Sequence, residues 1–172
     1  MGIMISLEML RRYPFFAGLS ETMLKELAMA GEDITFSQGD WLFHEGDEAN
    51  ALFLIISGEI ELEVAVDTSA TYLTSVDSLA EGEIFGWSAL VEPYVYSLSA
   101  VAVKNTRLAK FDGVRVCELM THNPADGYLL MSRLVQIIGG RLNALHVRFV
   151  SLVEGDRWQS VSRPPSQSRN LN

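Results

Sequence analysis

The chain has 172 residues, nearly half of them hydrophobic, which is enough to bury one proper core with appendages. Thirteen Lys and Arg against 22 Asp and Glu give a net charge of −9, which excludes a nucleic-acid-binding surface over the whole protein, because phosphate contacts need clustered cations. A single cysteine, Cys117, excludes an internal disulfide and suits a reducing compartment. No apolar run approaches the roughly 20 residues that span a bilayer, and Met1–Leu10 lacks the positive start of a signal peptide, so the expectation is a soluble, cytoplasmic protein without a membrane segment.

Residues 3–12 read as a helix with Leu7 and Leu10 on one face, ended by Pro14. Phe15, Phe16 and Leu19 form a compact apolar patch suited to core packing. Ser20 caps a second helix with Glu21 in its first turn and Met23, Leu24, Leu27 and Ala28 along its stripe; Gly31 is expected to close it in the left-handed conformation. The period then changes from 3.6 to 2. Ile34 and Phe36 alternate with polar neighbours, and turns at Gly39-Asp40 and Glu45-Gly46-Asp47 flank Trp41-Leu42-Phe43. Ala51–Ile56 and Glu59–Val66 form two strands around Ser57-Gly58, with Glu59, Glu61 and Glu63 on one exposed face. Further strands at 72–76, 98–103 and 107–111 complete a set of short strands at hairpin spacing, the pattern of an antiparallel barrel or jelly roll.

The most informative stretch is residues 82–103. It opens as a strand, turns at Phe85-Gly86, leaves room for one helical turn at Ser88-Ala89-Leu90, and after Pro93 returns as a β-branched run. A glycine turn leading into a short helix leaves backbone N–H groups pointing outward, a geometry that suits an anion. Yet no Lys or Arg lies between Gly82 and Val103.

Phe43-His44-Glu45-Gly46-Asp47, then Leu52 through Leu62, resemble the signature of the cyclic-nucleotide-binding domain family, the β-roll of catabolite-activator-type regulators, gated channels and kinase regulatory subunits. Gly82-Glu83-Ile84-Phe85-Gly86, with Ala89-Leu90, is similar to the start of that family's phosphate-binding cassette, and Arg107–Phe111 and Asn123-Pro124 are similar to the family's segments downstream of the cassette. The resemblance covers residues 8–154 in consistent order. It implies a mainly β fold with flanking helices: an antiparallel β-roll at 32–112, an N-terminal helical segment at 1–31 packed on it, and a short helix and long C-terminal dimer helix at 113–154.

The resemblance also marks departures. In ligand-binding members a Glu after Phe-Gly holds the ribose 2′-hydroxyl, and an Arg about ten residues on pairs with the cyclic phosphate. Here Trp87 stands at the Glu position, and the Arg position falls on Tyr96 counted back from Arg107 or on Ser97 counted forward from Gly86. A hydrogen bond to a charged group contributes about 1.5–3 kcal/mol, so losing both contacts weakens cAMP or cGMP binding by roughly two to four orders of magnitude. Phe85, Gly86, Trp87, Ser88, Ala89, Leu90, Tyr96, Ser97 and Leu98 are the candidate pocket. Two readings of Trp87 and Tyr96 stand: they plug a vestigial pocket, or they line an aromatic pocket for a different, uncharged or weakly charged ligand.

Asp112 caps a short helix through His122 with Val116, Cys117 and Met120 inward. Asn123 and Pro124 then start a long helix, expected to run to about Glu154 with Gly155 as its stop. Met131, Val135, Ile138, Leu142, Leu145, Phe149 and Leu152 are spaced 4, 3, 4, 3, 4, 3, an unbroken heptad seam, while Leu130, Leu134 and Ile137 form a second stripe for the helix's own barrel. Two apolar faces need two partners, and the second is most simply the same helix of another chain, so a homodimer is expected. Residues 155–172, rich in Ser, Pro and Arg, read as a disordered tail that cannot form the helix-turn-helix of the family's transcription regulators.

His44, His122 and His146 fall in three elements without ligand spacing, and no nucleophile–base pair or phosphate loop appears. The expected function is a non-catalytic sensory module with no metal or resident cofactor, a cyclic nucleotide or other small effector at most, no direct contact with nucleic acid or membrane, and an output passed to another protein. The alternatives are a genuine cyclic nucleotide receptor with an altered pocket, and a ligand-free homodimeric scaffold.

Overall fold

The computed structural model describes residues 4–66 and 72–161, with side chains as far as Ser151. Helix α1 (Leu7–Arg11) is capped by Ser6, whose Oγ accepts from the Met9 N–H at 3.1 Å, and a 3₁₀ turn at Pro14–Phe16 buries both phenylalanines. Helix α2 (Glu21–Ala30) starts at Ser20, whose Oγ accepts from the Met23 N–H at 3.1 Å, and buries Met23, Leu24 and Leu27. Gly31 does not close α2 in the left-handed region. Its φ is −84° and it is the first residue of β1 (Gly31–Phe36). What requires glycine there is space: a Cβ would stand 3.0 Å from both the Ile5 side chain and the Phe111 ring.

The remaining strands are β2 (Trp41–Phe43), β3 (Ala51–Ser57), β4 (Ile60–Ala65), β5 (Leu73–Leu79), β6 (Ile84–Phe85), β7 (Ser99–Ala102) and β8 (Thr106–Asp112). They form two four-stranded antiparallel sheets, in the orders β1-β8-β3-β6 and β2-β7-β4-β5. Strand β3 is buried along its whole length apart from Ser57, because it is covered on both sides. Ala51, Phe53 and Ile55 face the interior of the roll, while Leu52 faces the helices with Phe16 and Leu27. The row Glu59, Glu61, Glu63 is half-buried rather than open, and Glu59 pairs with Lys104 and accepts from Ser78 Oγ at 2.9 Å. Arg107 on β8 grips Asp33 on β1 through Nε, 3.0 Å from each carboxylate oxygen, pinning the first sheet's edge strand.

Helix α3 (Gly113–His122) is capped by Asp112, which accepts from the Arg115 N–H, and leads into α4 (Pro124–Val161). α4 continues past Gly155 to Val161, because one glycine costs a helix only about 1 kcal/mol against alanine; residues 162–172 lie outside the described residues. The chain divides into two compact units, 1–134 and 135–172. Among the described residues no helix is long and apolar enough to cross a membrane.

Gly58 and Gly46 offer a controlled test of these turns. Both have positive φ, +99° and +90°, but a Cβ on Gly58 would meet the Asn105 carbonyl oxygen at 2.6 Å, whereas Gly46 faces open space. Gly46→Ala is expected to lose about 1–2 kcal/mol from the backbone alone, and Gly58→Ala about 3 kcal/mol or more. Urea unfolding at fixed protein concentration measures both; equal losses would mean that the close approach at Gly58 carries no weight.

Candidate functional site

Strand β6 lays Phe85 beside Phe53 on β3, and the two rings stack with centroids 5.0 Å apart. The chain then turns at Gly86 in the left-handed conformation, φ +80°. A side chain there would place its Cβ 2.6 Å from the carbonyl oxygen of Ala51 and 2.9 Å from the Phe53 ring, so only glycine fits. A 3₁₀ turn at Trp87–Leu90 comes next, with Ser88 and Ala89 buried and Trp87 and Leu90 half-buried. Its underside is closed by the start of α3: a Cβ on Gly113 would stand 2.8 Å from that of Ala89, and the Gly113 N–H donates to the Asn50 carbonyl at 2.8 Å.

After the Pro93 loop the backbone returns alongside residues 46–49. The Ala49 N–H donates to the Tyr94 carbonyl at 2.7 Å, the Tyr96 N–H to the Asp47 carbonyl at 2.9 Å, and the Gly46 N–H to the Tyr96 carbonyl at 2.9 Å. This pairing decides the register that counting left open. Tyr96 points inward and is 4% exposed, Ser97 is exposed on the outside, and Leu98 packs against the interior. Ser97 therefore leaves the candidate pocket, because neighbours in an extended chain face opposite ways.

The Tyr96 ring lies parallel to that of Phe43, centroids 3.6 Å apart and planes 11° from one another, and the stack continues through Phe53 and Phe85. Its hydroxyl donates to the Ala51 carbonyl at 2.9 Å and accepts from the Ala51 N–H at 3.2 Å. Burial pushes the phenol above its ordinary pKa. Tyr96 and Gly86 thus converge on one carbonyl, Ala51 O. The interior beside the cassette glycine holds Tyr96, not Trp87, which sits half-buried at the head of the turn. Of the predicted residues, Phe85, Gly86, Ser88, Ala89 and Tyr96 are brought together. Phe43, Ala51 and Phe53 complete the arrangement; Phe43 and Phe53 lie in the segments that carry the family resemblance, but nothing in the sequence marked them as neighbours of Tyr96.

Cys117 lies half-buried on α3 with its Sγ 3.8 Å from the Leu90 carbonyl, and burial raises its thiol pKa, the opposite of a reactive cysteine. On α4, Leu130 and Leu134 are buried, and Met131 lines an apolar void with them. Farther along the seam Val135 is 63%, Leu142 52%, Leu145 40% and Phe149 68% exposed, with Ile138 half-buried; the Leu152 side chain lies outside the described residues.

The family model for the cyclic nucleotide-binding domain matches residues 33–123, more than half of the chain. The chain belongs to the cyclic nucleotide-binding domain family. A solved structure from Geobacter metallireducens, provisionally described as a cyclic nucleotide-binding protein, is 37% identical, with a TM-score of 0.72 over 81% of this chain and 99% of that one. The catabolite activator protein of Thermus thermophilus is 26% identical, with a TM-score of 0.65 over 80% of this chain and 63% of that one. A provisionally assigned potassium channel protein of Rhodopseudomonas palustris is 24% identical over 137 residues, 80% of this chain but 31% of the channel protein. The cyclic nucleotide-binding β-roll, with its regulatory character, is therefore the identity of the fold.

The phenol's bonds give a pH signature. Tyr96 has its folded pKa raised above the ordinary value of 10.0, so its stabilisation is complete below that value and is lost as pH rises through the folded pKa. Tyr96→Phe leaves both polar groups of the buried Ala51 without the phenol; it is expected to cost about 1–3 kcal/mol at neutral pH. It should also flatten part of the alkaline decline, to which Tyr13 and Cys117, whose pKa values burial also raises, contribute as well. Unfolding curves from neutral pH to about pH 11 check both parts; an unchanged alkaline slope would remove Tyr96 from the account.

Proposed function

We propose that this chain is a non-catalytic regulatory module whose cassette is filled by its own Tyr96, so that cAMP and cGMP bind very weakly or not at all. The observation that carries this reading is the phenol's double hydrogen bond to Ala51 beside Gly86, at the position where the family resemblance puts the phosphate-pairing arginine. A cyclic phosphate entering there has to displace the Phe43–Tyr96 stack and meets no cation from residues 82–103 in return. The module works in the cytoplasm, and its output goes to a protein partner rather than to nucleic acid, in keeping with the net charge of −9.

The module acts as a homodimer through α4. Val135, Leu142, Leu145 and Phe149 recur at heptad spacing and stand exposed, and a second copy of the helix supplies matching side chains for all of them.

Isothermal titration calorimetry with cAMP and cGMP, carried to millimolar ligand, is expected to give no saturable heat. The double substitution Trp87→Glu with Tyr96→Arg restores both family contacts and is expected to bring binding into a measurable range, a gain of roughly two to four orders of magnitude. Micromolar binding by the unaltered chain would overturn the filled-cassette reading and favour a true receptor with an altered pocket. Sedimentation at tens of micromolar is expected to give a dimer that becomes a monomer in Leu142→Asp; a monomeric unaltered chain would end the dimer proposal.

A further inference from the structure

The base of α4 is bonded to the N-terminal part of the chain at two places, both within the first compact unit. Asp126, in the first turn of α4, takes the N-terminus of α2. The Ser20 N–H donates to its Oδ1 at 2.9 Å and the Ser20 hydroxyl to its Oδ2 at 2.5 Å. The same hydroxyl accepts from the Met23 N–H at 3.1 Å, so Ser20 caps α2 and grips α4 at once. Two turns further along, Arg133 Nη1 donates to the Phe15 carbonyl at 2.8 Å. Positions two turns apart share one face of a helix, so both side chains reach the connector at residues 15–20 from the same side.

The charges suit their partners. The Asp126 carboxylate lies at the positive ends of two helices, α2 and its own α4. The connector is fixed to the core by its own side chains, since Phe16 and Leu19 are buried, and it turns at Gly18 with φ +75°. A Cβ on Gly18 would stand 3.6 Å from the Leu129 side chain and 3.8 Å from that of Arg133, so α4 lies directly against this turn. Leu130 and Leu134 give the base of α4 its apolar anchor, but apolar contact has no direction. The hydrogen bonds do have one, and they fix how the base is turned on that anchor. Ser20 is exposed and Asp126 and Arg133 are half-buried, so each bond is weak enough to open while the core stays packed.

We infer that these bonds form a clasp through which the N-terminal segment controls the base of α4. Closed, the clasp holds residues 124–134 in one setting; opened at Ser20 and Phe15, it lets them shift on Leu130 and Leu134. A group that competes for the Ser20 N–H and hydroxyl opens it, and so does a pull on the segment before Ser20. The module thereby has an input that bypasses the cassette. The cassette turn reaches α3, where a Cβ on Gly113 would meet that of Ala89 at 2.8 Å and Cys117 Sγ lies 3.8 Å from the Leu90 carbonyl. The connector, by contrast, bonds α4 itself. The inference rests on these contacts alone and stands whether or not cyclic nucleotides bind.

The test uses the full chain carrying Cys117→Ala, with spin labels at Met29→Cys on α2 and Tyr128→Cys on α4, both exposed positions, diluted with unlabelled chain. Electron–electron distance measurement is expected to give one narrow distribution. Asp126→Ala with Arg133→Ala removes both bonds while keeping good helix formers in α4. This pair is expected to broaden the distribution and to speed amide exchange over residues 127–134 about fivefold. Ser20→Asp keeps a cap on α2 but sets a carboxylate against Asp126, and is expected to broaden the distribution likewise. Adding Asp126→Asn, whose amide donates to the new carboxylate, is expected to narrow it again. Arg115→Gln breaks the exposed α2–α3 pair with Glu26 at 3.0 Å and is expected to change neither reading. A distribution that stays narrow in the double variant or in Ser20→Asp, or that broadens equally in Arg115→Gln, would overturn the clasp.

Discussion

Two hydrogen bonds between the Tyr96 phenol and the backbone of Ala51 hold the centre of this molecule together. The Ala51 carbonyl is also the atom that Gly86 approaches so closely that no side chain fits, and the neighbouring Asn50 carbonyl receives the first N–H of α3. The corner at residues 50–51 thus joins the interior ring stack, the cassette turn and the first C-terminal helix. The phenol's bonds to Ala51 are buried, where a polar group left alone is costly, so the ring stack keeps one arrangement against the cassette turn.

The choice of tyrosine at this point alters what the domain needs. An arginine in the same place would carry a charge into the interior, and such a charge is tolerated only when an anion or carboxylate meets it. A phenol has one donor and acceptor sites, and Ala51 offers the matching pair. The ring adds apolar area and a parallel contact with Phe43 at 3.6 Å.

Helix α4 serves different ends along its length. Its first turns are part of the first compact unit, with Leu130 and Leu134 buried and with Asp126 and Arg133 bonded to residues at the N-terminal end of the chain. From Val135 to Val150 the apolar side chains Val135, Leu142, Leu145, Val147, Phe149 and Val150 are exposed, while Ile137 and Ile138 are half-buried. Gly139 and Gly140 fall at the beginning of this stretch, where added Cβ atoms would meet nothing within 4 Å, so the helix's own chain does not demand them.

Much of this was legible in the residues because it is local. The strand alternation at Ile34 and Phe36, the turns at Gly46 and Gly58, the caps at Ser20 and Asp112 and the long helix from Pro124 each depend on a few neighbours, and all reappear in the structure. The missing cation of the cassette is likewise a matter of residue identity. What the chain could not declare depends on distant segments meeting. Whether Tyr96 or Ser97 faces inward turned on a single-residue register, and a one-residue slip sends every side chain to the opposite face; only the pairing of residues 94–96 with 46–49 decided it. The sequence put Trp87 and Tyr96 together at the pocket; that Tyr96 is the one in the interior depends on Ala51 lying within reach of its phenol. Gly31 looked like a helix stop and is a strand residue, because it pairs with Phe111 on β8, a segment far away in sequence. The sequence determined the local geometry and the chemical groups at hand, since these come from backbone preference and side-chain type; the tertiary structure decided which groups share a site, since that comes from contacts between residues the chain order keeps apart.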